Sequence, residues 1–422
     1  MTSLADLGSR AVDLQAHYTD VGILPRAMLA SSFWPHFWSG GIAWQALLFG
    51  LAAGASITLI LGWKSRWMAG LLALLLWSLH ARNPQVLFSA DTLLRWLMLL
   101  ATLIPLNGAW NLQGKPAQSL QGLPAAIPLG LMMALYGVGG LLKSGAWYSG
   151  EAVAMALRIQ HYAGPLAGWL LERPQLCQGL TWFTLAAELA TPLLLLVPRW
   201  RVRAGLVAFW LLTHAGFSMG LSVGIFPLVA WSAWFLLLPA QLFGERLPAL
   251  RPGPLNRCAS GVLLAILALT NLHSLGWSHT PKIEAALQRV HLAQHWNMYA
   301  PQPMGLEGWL LLQGRFENRP LTELFSGQLW SLDKPQDLSQ HYGGMRWRKA
   351  IRAQMIDPTN RYREPMVVWA CQHWSQVLPD DPPTYISMVW VFEASGPPER
   401  VTKVLPVGGM DCTPNPGPST GI

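Results

Sequence analysis

The chain has 422 residues, 52% of them hydrophobic and 12% charged, with 23 tryptophans and a mean hydropathy of +0.30. Soluble proteins carry roughly 25% charged residues, so this composition excludes an ordinary soluble domain and indicates an integral membrane protein. The net charge of +8 comes from short loops and the tail and forms no basic stripe, which argues against nucleic acid as a partner, and the four cysteines have neither CxxC nor Cys/His metal spacing.

Only helices and closed barrels satisfy their backbone groups in lipid. The apolar runs here are far longer than the roughly ten alternating residues of a barrel strand, so the fold class is an all-α polytopic membrane helix bundle. Residues 1–39 read as an interfacial segment or part of a first span: helical periodicity runs to about His17, then Asp20, Gly22 and Pro25 break it, and no cleavable signal is present. Eight runs long enough to cross follow at about 40–62, 67–79, 91–106, 124–142, 179–197, 204–217, 223–243 and 258–276, placing the bundle at 40–276. Residues 146–171 keep helical spacing but are interrupted by Arg158, His161 and Gly164-Pro165, the pattern of an interfacial or re-entrant element.

Lysine and arginine in the short loops set the orientation. Lys64, Arg66, Lys115, Arg199, Arg201, Arg203, Arg246, Arg251 and Arg257 lie on one side, against Arg82, Lys143, Arg158 and Arg173 on the other. The richer side is cytoplasmic. Lys143 then faces outward, with His80, Arg82, Asn83, Asp91, Glu151, His161 and Tyr162 on the same side, and eight crossings place the tail outside the cytoplasm.

That tail, 277–422, reads as an extracytoplasmic, mostly β or α+β domain. It opens with a helical KIEAALQRVHLAQHW and continues through GWLLLQGRF, PMVVWACQHW and TYISMVWVFEA, each with strand character. Cys371 and Cys412 would lie in an oxidising compartment, where a disulfide between them can form. The proline-rich end reads as disordered.

Single polar groups carry two readings each. Lys143 is either a snorkelling anchor with its ammonium among headgroups or a functional cation on the side where positive charge is scarce. Glu188, within TLAAELATPLL, is either a functional intramembrane acid or a group bonded to a neighbouring helix. Asp91 and Arg95, one helical turn apart, are expected to pair. Arg26, His161 and Tyr162 sit where interfacial anchors are common, and the tryptophans are belt and core residues.

Six segments in order, HYTDVGILPR, ARNPQVLFSADTLLRW, YGVGGLLKSGAWYSGEAV, AELATPLLLL, HAGFSMGLSVGIFPLV and LAQHWNMYAPQP, resemble the HTTM membrane-domain family, which contains vitamin K-dependent gamma-glutamyl carboxylase and its bacterial relatives. The resemblance spans about residues 10–305. It implies a reduced quinone of the vitamin K or menaquinone type as cofactor. In the animal carboxylase a lysine of the corresponding motif is the base towards the hydroquinone, whose oxygenation drives proton removal from a substrate glutamate. GLLKSGAW offers Lys143 for that role, and a partly desolvated lysine can be neutral often enough to take a proton. HAGFSMGLSVGIFP matches a histidine-containing segment and offers His214. Asn83-Pro84 stands where the animal enzyme has an Asn-His pair, leaving His80 as the substitute. The catalytic residues so implied are Lys143 and His214, with His80 and Asn83 as cofactor-contacting ones; Glu188, as an intramembrane acid, and His161, on the outer side, join them as cofactor-contacting candidates by position.

Two functions follow. One is a quinone-dependent carboxylase-like lyase acting on exported polypeptides in a bacterial inner or thylakoid-type membrane, which requires a lipid-open cavity at Lys143. The other is a non-catalytic scaffold, a maturation or assembly factor for a membrane-complex partner, with the space around Lys143 filled. A transporter fits less well, since no internal repeat is visible and intramembrane charges are few.

Overall fold

In a computed structural model of the chain, residues 1–30, 32–104, 119–243, 249–277, 281–356, 362–394 and 402–412 are described. Lys115, Arg246, residues 105 and 106 of the third apolar run, and the proline-rich end from 413 lie outside them. An N-terminal helix α1 (Thr2–Ala11) precedes eight helices that fall on the eight apolar runs: α2 (Ile42–Ile60), α3 (Ser65–Arg82), α4 (Ser89–Leu103), α5 (Leu123–Met133, prolonged to Leu141), α8 (Pro174–Leu195), α9 (Trp200–Gly220), α10 (Phe226–Phe235) and α11 (Pro254–Ser274). Four of them, α2, α5 with its prolongation, α9 and α11, are long and apolar enough to cross a membrane. Between α5 and α8 lie only short helices, including α6 (Ala146–Ser149) and α7 (Ala152–Arg158), as the broken periodicity of 146–171 predicts.

Sequence sets the packing at α5. Pro124 sits in its first turn, where a missing N–H costs nothing, while Pro128 lies inside the helix. The helix then widens into a π turn over Ala134–Val138, an irregularity often found at functional sites, before closing at Gly139–Leu141. Here α8 comes close. A Cβ on Gly137 would stand 2.7 Å from Pro192 Cγ, and one on Gly140 3.3 Å from Glu188 Cβ, so bare backbone at these two positions lets α8 reach α5.

The tail joins a helix α12 (Pro281–Arg289) to a five-stranded antiparallel sheet of β1 (Leu306–Arg315), β2 (Thr322–Glu323), β3 (Gln328–Leu329), β4 (Tyr385–Ala394) and β5 (Thr402–Asp411), in the order β3-β2-β1-β4-β5. Helices α13 (Met345–Ile356) and α14 (Arg363–Val377) lie between β3 and β4 in sequence. The strands expected at GWLLLQGRF and TYISMVWVFEA are β1 and β4, paired from Leu306 opposite Ala394 to Arg315 opposite Tyr385. PMVVWACQHW is not a strand but part of α14. Its buried residues Met366, Val367, Ala370 and Cys371 recur at helical spacing, and a short apolar run cannot be assigned by hydrophobicity alone. The tail is therefore α+β. Strand β5 carries no strand pattern in the sequence because Pro406, Gly408 and Gly409 interrupt it; as an edge strand it tolerates the proline.

Cys371 and Cys412 form a disulfide between α14 and the end of β5. One apolar core runs through both parts of the molecule, from Leu72, Trp96 and Trp210 in the bundle to Trp296, Leu310, Ile351 and Trp390 in the tail.

Candidate active site around Lys143 and His214

Lys143 follows the last turn of α5, its N–H donating to the Gly140 carbonyl at 3.2 Å. The side chain is 3% exposed, and its ammonium turns inward to Oε2 of Glu188 on α8. The same nitrogen lies 4.5 Å from the centroid of the Trp147 ring. A buried ammonium is tolerable only with such company: a carboxylate to offset its lost hydration and an aromatic face beside it. The glycines of YGVGG permit this, since the approach of α8 brings Glu188 within reach.

The turn after Lys143 is fixed by the last of the six resembling segments. Ser144 N–H donates to the Pro301 carbonyl at 2.8 Å, and Trp147 Nε1 donates to the Tyr299 carbonyl at 2.8 Å. Gly145 has φ +50°, and a Cβ there would stand 2.6 Å from Gln302 Oε1, so only glycine fits under that glutamine. KSGAW and MYAPQ are thus two sides of one structure.

His214, on α9, is 2% exposed. Its Nε2 lies 2.7 Å from the Tyr136 hydroxyl, and Trp234 Nε1 donates to that same oxygen at 2.8 Å. An indole N–H can only donate, so the Tyr136 oxygen accepts from Trp234 and keeps its own proton to offer to His214 Nε2. In the neutral ring this assigns the remaining proton to Nδ1, which has no partner among the described residues. The Tyr136 ring packs on Trp210, centroids 3.9 Å apart, and Trp210 donates to Thr191 on α8 at 2.9 Å.

Lys143, Glu188, Tyr136 and His214 line one cavity of about 390 Å³ bordered by α5, α7, α8, α9 and the 296–299 segment, its remaining wall mostly Leu, Val, Phe and Trp. That volume is in the range of small-molecule sites, and an apolar wall with a few convergent polar groups is their usual construction. His214 lines this space with its Nδ1 buried and without a partner among the described residues, and Lys143 lines it beside Glu188.

The other predicted residues go elsewhere. His80 is fully buried between Arg10 Nη2, 3.1 Å from its Nε2, and Arg95 Nη1, 2.9 Å from its Nδ1. Asn83 caps the next turn, its side chain accepting from Gln85 N–H and donating to the His17 carbonyl. Neither lines the Lys143 cavity. His161 faces the tail, where its backbone N–H donates to Glu307 Oε1 at 3.1 Å. Asp91 does not pair with Arg95. It takes Arg346 Nη1 at 2.7 Å from α13 and Arg10 Nη2 from α1, and Asp6 joins the same cluster through both arginines. Asp6, His80 and Asp91 bring ligand atoms within 4.8 Å of one another, but the two guanidinium groups already neutralise both carboxylates and would repel a metal cation.

Tyr136, Trp147 and Trp234 were not singled out by the sequence, because aromatic residues in apolar runs are ordinarily belt or core. The available signal was one tyrosine amid the glycines of YGVGG. Comparison with protein-family models, curated proteins and solved structures finds no match to any of them.

Proposed function

We propose that the chain is a membrane enzyme of the carboxylase-like type suggested by its resemblance to the HTTM family, using a reduced quinone bound in the Lys143–His214 cavity. The observation that carries this reading is the cavity itself, since a scaffold role calls for packed side chains around Lys143. When bound, a hydroquinone supplies an acidic hydroxyl and, with oxygen, the driving force for modifying a substrate side chain. The residues do the rest. Transfer of the ammonium proton from Lys143 to Glu188 leaves a neutral pair in a water-poor site, and the freed lone pair on Nζ can then accept a proton from a bound hydroxyl. His214 orients the ring by donating from Nδ1, with its tautomer held by Tyr136 and Trp234.

Within the same proposal all eight helices α2–α5 and α8–α11 cross a bacterial inner or thylakoid-type membrane, the tail lies outside the cytoplasm, and the substrate is an exported polypeptide. Nine basic loop residues against four support that orientation. A photoreactive menaquinone analogue in membranes carrying the protein tests the binding step. Labelled peptides should come from α5, α8 and α9 and be competed by menaquinol; labelling elsewhere, or none that menaquinol displaces, contradicts the proposal.

A further inference from the structure

Between bundle and tail lies a second space, about 330 Å³, whose wall includes Tyr162, Tyr299, Gln302, Lys349 and Arg352. A smaller chamber of about 170 Å³ beside it shares Tyr162, Lys349 and Arg352 and adds His161, Glu307 and Arg348. Positions 348, 349 and 352 are one turn of α13, so three cations are presented together. Among the described residues none has a carboxylate within 4 Å. Glu307, the acid in the chamber wall, is already held by Lys334 Nζ at 2.6 Å and by the His161 N–H.

Arg352 Nη1 donates to the Tyr162 hydroxyl at 2.6 Å, and Lys349 Nζ stands 5.6 Å from the Tyr162 ring centroid. Arg348 is 7% exposed. Its Nη2 reaches Ser222 Oγ at 3.2 Å, while Nε and Nη1 have no partner among the described residues. Asp337 offsets Arg348 in part, but Lys349 and Arg352 stand together on the same turn and repel one another, and folding accepts that cost where an anion offsets it. We propose that the larger space is an oxyanion site in which Lys349 and Arg352, with Tyr162 beside them, hold a phosphate-type group. The positive field is also felt by the neighbours. Burial together with Arg348, Lys334, Arg352 and Lys349 pushes His161 down to about 3. Burial raises the Tyr162 phenol, but Lys349 and Arg352 outweigh it and leave the group below its ordinary value.

The phosphate can arrive as an anionic lipid headgroup or as a free ion. The site shares Val223, Phe226, Met298 and Tyr299 with the wall of the Lys143 cavity, but its recognition does not depend on Lys143 or on quinone. The test uses the full chain. Thermal unfolding in detergent is followed against inorganic phosphate at constant ionic strength, and lipid retention is read by native mass spectrometry from nanodiscs of phosphatidylglycerol or phosphatidylcholine. Stabilisation by inorganic phosphate assigns a free oxyanion; selective retention of phosphatidylglycerol without it assigns a headgroup. In either case Lys349→Met weakens binding roughly tenfold or more, the usual worth of a charge-assisted contact, and Lys349→Arg restores it. A wild-type protein that neither responds to phosphate nor prefers phosphatidylglycerol overturns the proposal, as does a Lys349→Met protein that binds like wild type. Neither result bears on the Lys143 cavity.

Discussion

The Lys143 ammonium meets Glu188 Oε2, and in the proposed reaction what the site does depends on which of the two groups holds the proton between them. His214 poses the complementary question: the Nδ1 proton that the proposed function assigns to it exists only in the tautomer in which Tyr136 donates to Nε2. Tyr136→Phe should therefore act twice. It leaves Trp234 Nε1–H and His214 Nε2 buried without a partner, which costs about 1–3 kcal/mol, and it lets the ring place its proton on Nε2, which weakens quinol binding. Thermal unfolding and quinol titration of the purified variant measure both; unchanged stability with unchanged affinity would contradict the tautomer assignment. At this scale the sequence was informative about Lys143, Glu188 and His214, which stand together in the structure. It was uninformative about His80 and Asn83: loop charges place a residue on a side of the membrane, not in the space between a given pair of helices. Arg346, which draws Asp91 away from Arg95, lies 255 residues along the chain, beyond the reach of any local pattern.

Helix positions were legible because apolar runs of span length leave few alternatives, and the glycines of YGVGG were visible without their purpose. That purpose is contact. Gly137→Ala would drive a Cβ to 2.7 Å from the rigid Pro192 ring, and the resulting displacement of α8 should destabilise the protein by about 1–3 kcal/mol and loosen the Lys143–Glu188 pair. Gly8→Ala is the control: in α1 nothing lies within 4 Å of its Cβ position, so helix propensity alone applies and stability should rise by about 0.5–1 kcal/mol. Unfolding midpoints in detergent check the pair, and equal effects would mean that the close approach of α8 and α5 is not what Gly137 provides. In the tail the strands of alternating pattern were readable, whereas α14 and β5 were not. The first is a ten-residue apolar stretch whose helical face emerges only against the sheet, and the second is an edge strand broken by proline and glycine.

Bundle and tail form one body through their shared apolar core and through Arg346, which carries α13 into the cluster of Asp6, Arg10 and Asp91. If the tail lies outside the cytoplasm, a cysteine placed at position 330 is labelled by a membrane-impermeant reagent in intact cells whose outer barrier alone is opened. Labelling only after the inner membrane is permeabilised would invert the topology and carry the oriented site with it. The Lys143→Arg substitution separates base chemistry at this site from anchoring. Arg keeps the positive charge and can still pair with Glu188, but it does not give up its proton in a protein, so it can anchor and cannot act as a base. Quinol oxidation, and the mass of candidate exported polypeptides, should be followed in proteoliposomes carrying wild-type or Lys143→Arg protein. The Lys143→Arg protein is expected to fold and to lose quinol-dependent turnover by about a hundredfold or more, the scale of a lost general base; full turnover would rule out base chemistry and leave the scaffold reading in its place.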